Sequence, residues 1–136
     1  MRRLRPYLWQ GDNREYPRFY PHAGITLTIN VGHSVMNTPG YILHSTMSDS
    51  KEPESNDWSK IEAALRLALH EIERGGVVFV VCDVGVSRSV TFSGMVIAAV
   101  EHRRMDYRLA DEIRSAIADP LPELWRNASK YMENFV

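Results

Sequence analysis

Only one cysteine, Cys82, occurs in the 136-residue sequence. An internal disulfide is therefore impossible, and Cys-rich zinc or iron–sulfur sites are excluded. An excess of charge of one sign is lacking too. The 16 basic and 17 acidic residues leave a net charge of −1. That argues against a general nucleic-acid binder or an anionic-membrane binder, both of which usually carry a basic excess. A local basic pocket stays compatible with it. No apolar run is long enough for membrane insertion; the longest, around 77–82 and 95–100, suit a buried strand and a buried helix. The N-terminus, MRRLRPYLWQGD, is basic but leads into no apolar stretch of signal-peptide length. Repeats, low-complexity tracts and linkers are missing. His22, His33, His44, His70 and His102 show no metal-ligand spacing. The expectation is one soluble, intracellular (cytoplasmic) domain spanning 1–136, with no metal and no cofactor. A composition of 44% hydrophobic and 24% charged residues is that of an ordinary globular protein.

What is present alternates between strand and helix patterns. A short strand is expected at Tyr7 to Gln10. The β-branched alternation of Ile25 to Val31 predicts another. A third is expected from Tyr41 to Met47, set off by Pro39-Gly40. Ser55-Asn56-Asp57 offers N-cap chemistry for a helix whose Trp58, Ile61, Leu65, Ala68, Leu69 and Ile72 recur at helical spacing. Gly75-Gly76 stops that helix. Val77 to Val81 is a continuous β-branched run, the pattern of a central strand buried on both faces. Three helices are expected after it, at Arg88 to His102, Tyr107 to Ala118 and Leu121 to Phe135, with Asp106 and Asp119 as caps for the last two. Interleaved strands and helices predict an α/β fold with a mostly parallel sheet. Arg2, Arg3 and Arg5 read as a frayed basic terminus, and Arg103-Arg104 as a helix C-terminus complementing its dipole. Trp9, Trp58 and Trp125 read as packing residues. So do Tyr16, Phe19 and Tyr20, in a loop laid on the sheet.

A lone cysteine is either inert core or a nucleophile, and its surroundings decide. Cys82 ends the strand and opens Cys82-Asp83-Val84-Gly85-Val86-Ser87-Arg88-Ser89 before the next helix. Ligands of open α/β sheets bind beyond the carboxyl ends of strands. A tight loop entering a helix turns successive backbone N–H groups inward. With the helix dipole they form an anion cradle, contributed by Asp83, Val84, Gly85, Val86, Ser87 and Arg88. Gly85 permits the tight turn. Arg88 offers a planar fork to two phosphate oxygens. This positive environment favours thiolate over thiol at Cys82, and the Ser89 hydroxyl is placed to donate to the sulfur.

The C-x5-R-S loop with its GVSRS ending resembles that of the cysteine-dependent protein phosphatases, in their compact, atypical dual-specificity branch. Leu8-Trp9-Gln10-Gly11-Asp12 is similar to the family's opening strand, and His22-Ala23-Gly24-Ile25-Thr26 through Asn30-Val31 to its second. The similarity spans nearly the whole chain and is weakest after Asp119. It implies a central, mostly parallel sheet of four to five strands flanked by helices. It also implies a metal-independent phosphomonoester hydrolase working through a Cys82 thiophosphate. The expected substrate is a phosphorylated protein carrying phosphotyrosine, with phosphoserine or phosphothreonine as further options. The family places a general-acid aspartate on a loop after an earlier strand. Asp49, 33 positions before Cys82, fits that role. Asp57 competes but sits where an N-cap is needed.

Three residues depart from the family's pattern. Val81 stands where the family usually has His, Asp83 puts a negative charge beside a dianion site, and Val90 replaces a small residue or Pro. Two alternatives stay open, and Val81 and Asp83 support the first. One is a weak or inactive phospho-residue binding module. The other is a phosphatase of a non-protein substrate such as a phosphoinositide or an RNA 5′ phosphate, although the loop carries no Lys or second Arg.

Overall fold

The computed structural model describes residues 1–15, 24–34, 36, 42–50, 52–84 and 86–135. The strands are β1 (Arg2–Arg5), β2 (Leu8–Asp12), β3 (Leu27–Asn30), β4 (Ile42–His44) and β5 (Val78–Cys82). The helices are α1 (Trp58–Glu73), α2 (Arg88–Glu101), α3 (Tyr107–Ile113) and α4 (Pro122–Met132). The strands form one sheet in the order β1-β2-β5-β3-β4. β1 runs antiparallel to β2, and the other pairs are parallel. This is the α/β architecture expected, with five strands.

β5 is the middle strand and all five of its residues are buried, as its uninterrupted apolar run requires. Its side chains alternate between two layers. Val78, Val80 and Cys82 join a core with Leu8 and Ile29 that includes residues of all four helices. Phe79 and Val81 face the other way and pack with Ile25, Trp9, Met36 and Ile42. No described helix is long and apolar enough to cross a membrane.

α1 begins where its cap chemistry predicts. The Asp57 side chain accepts from the Lys60 N–H, and the helix gives way to Gly75 at φ +89°. Trp58 stacks on Tyr131 of α4 with ring centroids 5.4 Å apart, and Asp106 caps α3 through the Leu109 N–H.

Three expectations are corrected. The basic N-terminus is not frayed, because Arg2–Arg5 is an edge strand whose Arg5 bonds Glu101 at 2.7 Å and Glu112 at 2.9 Å. Charged residues suit a sheet edge, where they discourage further pairing. α3 stops at Ile113 rather than Ala118. Arg114 is extended, Ser115 and Ala118 exchange backbone hydrogen bonds in a turn, and Ile117 is exposed. Only Ala118 of that stretch reaches the core. Asp119 caps nothing: Leu121 is the N-cap of α4, followed by Pro122, and proline's fixed φ suits the first helical position. Residues 16–23 and Gly85 lie outside the described residues, as do Pro39-Gly40 and Tyr41 at the start of the third predicted strand.

Candidate active site

Cys82 is the last residue of β5, at the carboxyl edge of the parallel strands, and is 1% exposed. Its backbone is pinned there, since Cys82 O accepts from the Asn13 N–H at 2.9 Å. Cys82 Sγ hydrogen-bonds Ser89 Oγ at 3.2 Å. The thiol donates in that pair when protonated. Once the sulfur is a thiolate, only the hydroxyl can donate.

The loop feeds α2 through Ser87. As N-cap, Ser87 would ordinarily turn its hydroxyl onto the helix's own first N–H groups. It does not, because Ser87 Oγ accepts from the Leu121 N–H at 2.9 Å instead. That bond ties the loop to the start of α4 and leaves α2 without a side-chain cap. An uncapped helix start keeps its N–H groups and positive dipole end for an anion.

Arg88, the first residue of α2, is 7% exposed. Its Nε lies 3.4 Å from Asp49 Oδ2, and its Nη2 donates to Asp83 Oδ2 at 3.3 Å. The guanidinium therefore draws Asp49, from the loop after β4, to the mouth of the Cys82 loop. Asp49 itself is about half exposed. Its loop is braced by buried Asn56, which accepts from Ser48 N–H at 2.7 Å and donates to Ser48 O at 3.1 Å. Asp57, the rival carboxylate, is occupied as the cap of α1 and accepts from Ser59 Oγ at 2.7 Å.

Asp83 is turned toward the loop after β3. Its carboxylate accepts from His33 N–H at 3.1 Å, Ser34 N–H at 3.0 Å and Asn13 Nδ2 at 3.0 Å, besides Arg88. Gly32 allows this approach, since a Cβ there would come within 2.5 Å of Asp83 Oδ1 and 2.8 Å of its backbone N. Val84 and Val86 are exposed and form an apolar rim. A cavity of about 870 Å³ lies elsewhere, lined by Ile25, Leu27, Ile42, Leu67, His70 and Arg74 among others. None of the loop residues borders it. A cradle of backbone amides needs no deep cavity to hold a phosphate.

No family model matches the sequence, and no curated protein does. Solved structures do match. Human DUSP28 superposes with a TM-score of 0.80 at 22% identity, covering 96% of this chain and 94% of its own. DUSP15 gives 0.81 at 19% identity over 96% and 86%. PTPMT1 in complex with PI(5)P gives 0.77 at 13% identity over 97% and 94%. The fold is that of the compact dual-specificity phosphatases. Within this dual-specificity phosphatase fold, two contributors escaped the sequence reading. Gln10 donates to Ser89 Oγ at 2.8 Å, and Asn56 braces the Asp49 loop. The signal for Gln10 was a polar side chain within an otherwise core-facing strand. For Asn56 the cap pattern disguised it.

Burial alone would raise the Asp83 carboxyl. The Ser34 and His33 N–H groups and the Arg88 guanidinium outweigh it and hold the group down to about 2. A carboxyl depressed on folding adds stability above its unfolded value and loses it as pH falls through the folded one. Asp83→Asn is therefore expected to lie about 1 kcal/mol below the parent at neutral pH, a figure kept low by solvent screening. The gap should close as pH falls from about 4 toward 2. Urea denaturation across that range measures it, and a gap that stays constant would contradict the assignment.

Proposed function

We propose that the protein is a metal-independent phosphomonoester hydrolase acting on phosphorylated protein side chains, phosphotyrosine foremost. The observation that carries this reading is the conjunction at the α2 start. The buried Cys82 thiol and the Arg88 fork bracket a loop that enters a helix with no side-chain cap. In the first step the Cys82 thiolate attacks phosphorus, forming the S–P bond as the P–O bond to the leaving group breaks. Asp49 gives its proton to the departing oxygen. Backbone amides from Asp83 to Arg88, with the Arg88 guanidinium, hold the phosphoryl oxygens. In the second step water attacks phosphorus, Asp49 takes its proton, and the S–P bond breaks. Ser89 donates to the returning thiolate. The apolar rim of Val84 and Val86, with no second cation in the loop, suits an aromatic side chain better than a polyphosphorylated headgroup or an RNA end.

One observation favours a second reading, a phosphate-binding module without turnover. Arg88 is already shared by Asp49 and Asp83, and a bound dianion must compete with both. Hydrolysis of an aryl phosphate in the presence of a chelator, compared with phosphopeptide binding, separates the two. Turnover supports the enzyme, while binding without turnover supports the module. Panels of phosphopeptides, phosphoinositides and 5′-phosphorylated RNA then test the substrate class.

The acid assignment has its own test. Asp49→Asn is expected to lower kcat by about 100-fold on an alkyl phosphate and much less on an activated aryl phosphate, whose leaving group needs no proton. Asp57→Asn should leave both rates near the parent and α1 in place, because an asparagine amide oxygen still accepts the Lys60 N–H as a cap. The reverse pattern would transfer the role to Asp57.

A further inference from the structure

A buried polar line leads from the sheet edge to the sulfur. Arg2 faces Gln10 across the β1–β2 pair, and Gln10 pairs with Val80 in β5, on the layer that also carries Cys82. Arg2 Nε donates to Gln10 Oε1 at 2.7 Å, Gln10 Nε2 donates to Ser89 Oγ at 2.8 Å, and Ser89 Oγ meets Cys82 Sγ at 3.2 Å. Gln10, Ser89 and Cys82 are each at most 1% exposed.

The chemistry of the donors fixes the direction of the hydrogens from Arg2 to Ser89. A guanidinium has only N–H groups, so the amide oxygen of Gln10 must face Arg2. Its NH2 must then face Ser89. The Ser89 oxygen is thereby an acceptor from Gln10, and once the sulfur is a thiolate the single Ser89 hydrogen is the one that can turn to it. Val81, the residue preceding Cys82, is apolar, fully buried and turned to the opposite layer. Polar support for the sulfur thus enters from the neighbouring strand.

We propose that Gln10, oriented by Arg2, is a positioning residue that holds the Ser89 hydroxyl as a committed donor to the Cys82 thiolate. The proposal rests on Cys82 being the nucleophile, and it assigns to Gln10 a share in stabilising that thiolate both before attack and as the leaving group of the second step. Hydrogen bonds in which one partner is charged are about twice as strong as neutral ones, so a hydroxyl locked toward sulfur favours the ionised form.

Cys82 is the one thiol of the chain. The ultraviolet thiolate absorbance of the full-length protein, with that of Cys82→Ser subtracted, therefore titrates this group alone. The other charged groups around it are Asp83, Arg88 with Asp49, and Asp12, which pairs with Cys82 in the β2–β5 register. All are untouched in Gln10→Leu. That variant is expected to move the titration midpoint up by about one unit, a tenfold change in the ionisation constant. Gln10→Glu should move it further, because a carboxylate accepts the Ser89 hydrogen and draws it away from sulfur. Ser89→Ala should match Gln10→Leu, and the double variant Gln10→Leu/Ser89→Ala should add nothing, since both act through one hydrogen bond. An unchanged midpoint in Gln10→Leu, or additive shifts in the double variant, overturns the proposal. If Gln10→Leu fails to fold, Arg2→Met carries the same test. It removes the guanidinium that faces the amide oxygen and should give a smaller upward shift, and no shift overturns the proposal equally. Because the titration needs no turnover, a parent protein inactive on every phosphate ester would sink the hydrolase reading while these shifts still decide the role of Gln10.

Discussion

Cys82→Ser is expected to reduce aryl phosphate hydrolysis by about 10⁴-fold or more while the fold and oxyanion binding survive. The substitution exchanges sulfur for oxygen in a site that is 1% exposed, so the packing of β5 changes little. Ser89 Oγ, 3.2 Å from the sulfur, still has a partner. The electronic change is large. A serine hydroxyl stays protonated at neutral pH unless a base removes its proton, and the Ser89 hydroxyl beside it is no such base. No other thiol exists to substitute. The proposed cradle of amides and Arg88 is untouched, so inorganic phosphate and phosphopeptides should bind about as tightly as to the parent. The checks are initial rates in a chelator and calorimetric phosphate binding. A variant that retains activity within about tenfold of the parent would reject the covalent mechanism.

The portions of the fold that could be read from the chain are those set by local pattern. The run at Val77 to Val81 had one good solution, a central strand, and the C-x5-R-S loop followed from it. The helix at Trp58 carried its own cap and stop. Features set by distant partners were hidden. Arg2–Arg5 has no apolar alternation and becomes a strand only because β2 offers it an edge and Glu101 and Glu112 meet Arg5. The Tyr107 helix looked longer because its periodicity persists past Ile113, whereas the chain turns there, leaving Ile117 exposed and bringing Ala118 back to the core. In the site, Asp83 could have pointed toward the proposed phosphate position or away. The choice is made by the N–H groups of His33 and Ser34, some fifty positions earlier in the chain. Gln10 read as one strand residue among others, since its partners Ser89 and Arg2 come from different elements. Local propensity thus placed the candidate loop at the end of the central strand, and long-range hydrogen bonds set the orientation of its side chains.

The orientation of Arg88 makes it the second residue on which the reading stands. Arg88→Ala is expected to lower kcat/KM for an aryl phosphate by at least about 10³-fold, because the directed N–H donors of the fork to the phosphoryl oxygens vanish together and losing even one such donor costs about 10²–10³-fold. Electrostatics adds to the loss. With the guanidinium gone, Asp49 and Asp83, now 3.4 and 3.3 Å from it, lose the cation they share. They then repel an incoming dianion. Arg88→Lys should recover little, since an ammonium restores the charge but not the planar fork. The pattern across substrates distinguishes this from a fault in folding. Inhibition by inorganic phosphate should weaken in parallel with kcat/KM, because the same oxygens are held in both. The Cys82 loop itself should persist, because Ser87 Oγ remains tied to the Leu121 N–H and Asn13 N–H to Cys82 O. A binding module would respond to the same change by losing affinity with no rate to lose, so rate and affinity measured together test the two readings on one side chain. If Arg88→Ala keeps both within a few-fold of the parent, phosphate is not held by this loop, and neither reading survives.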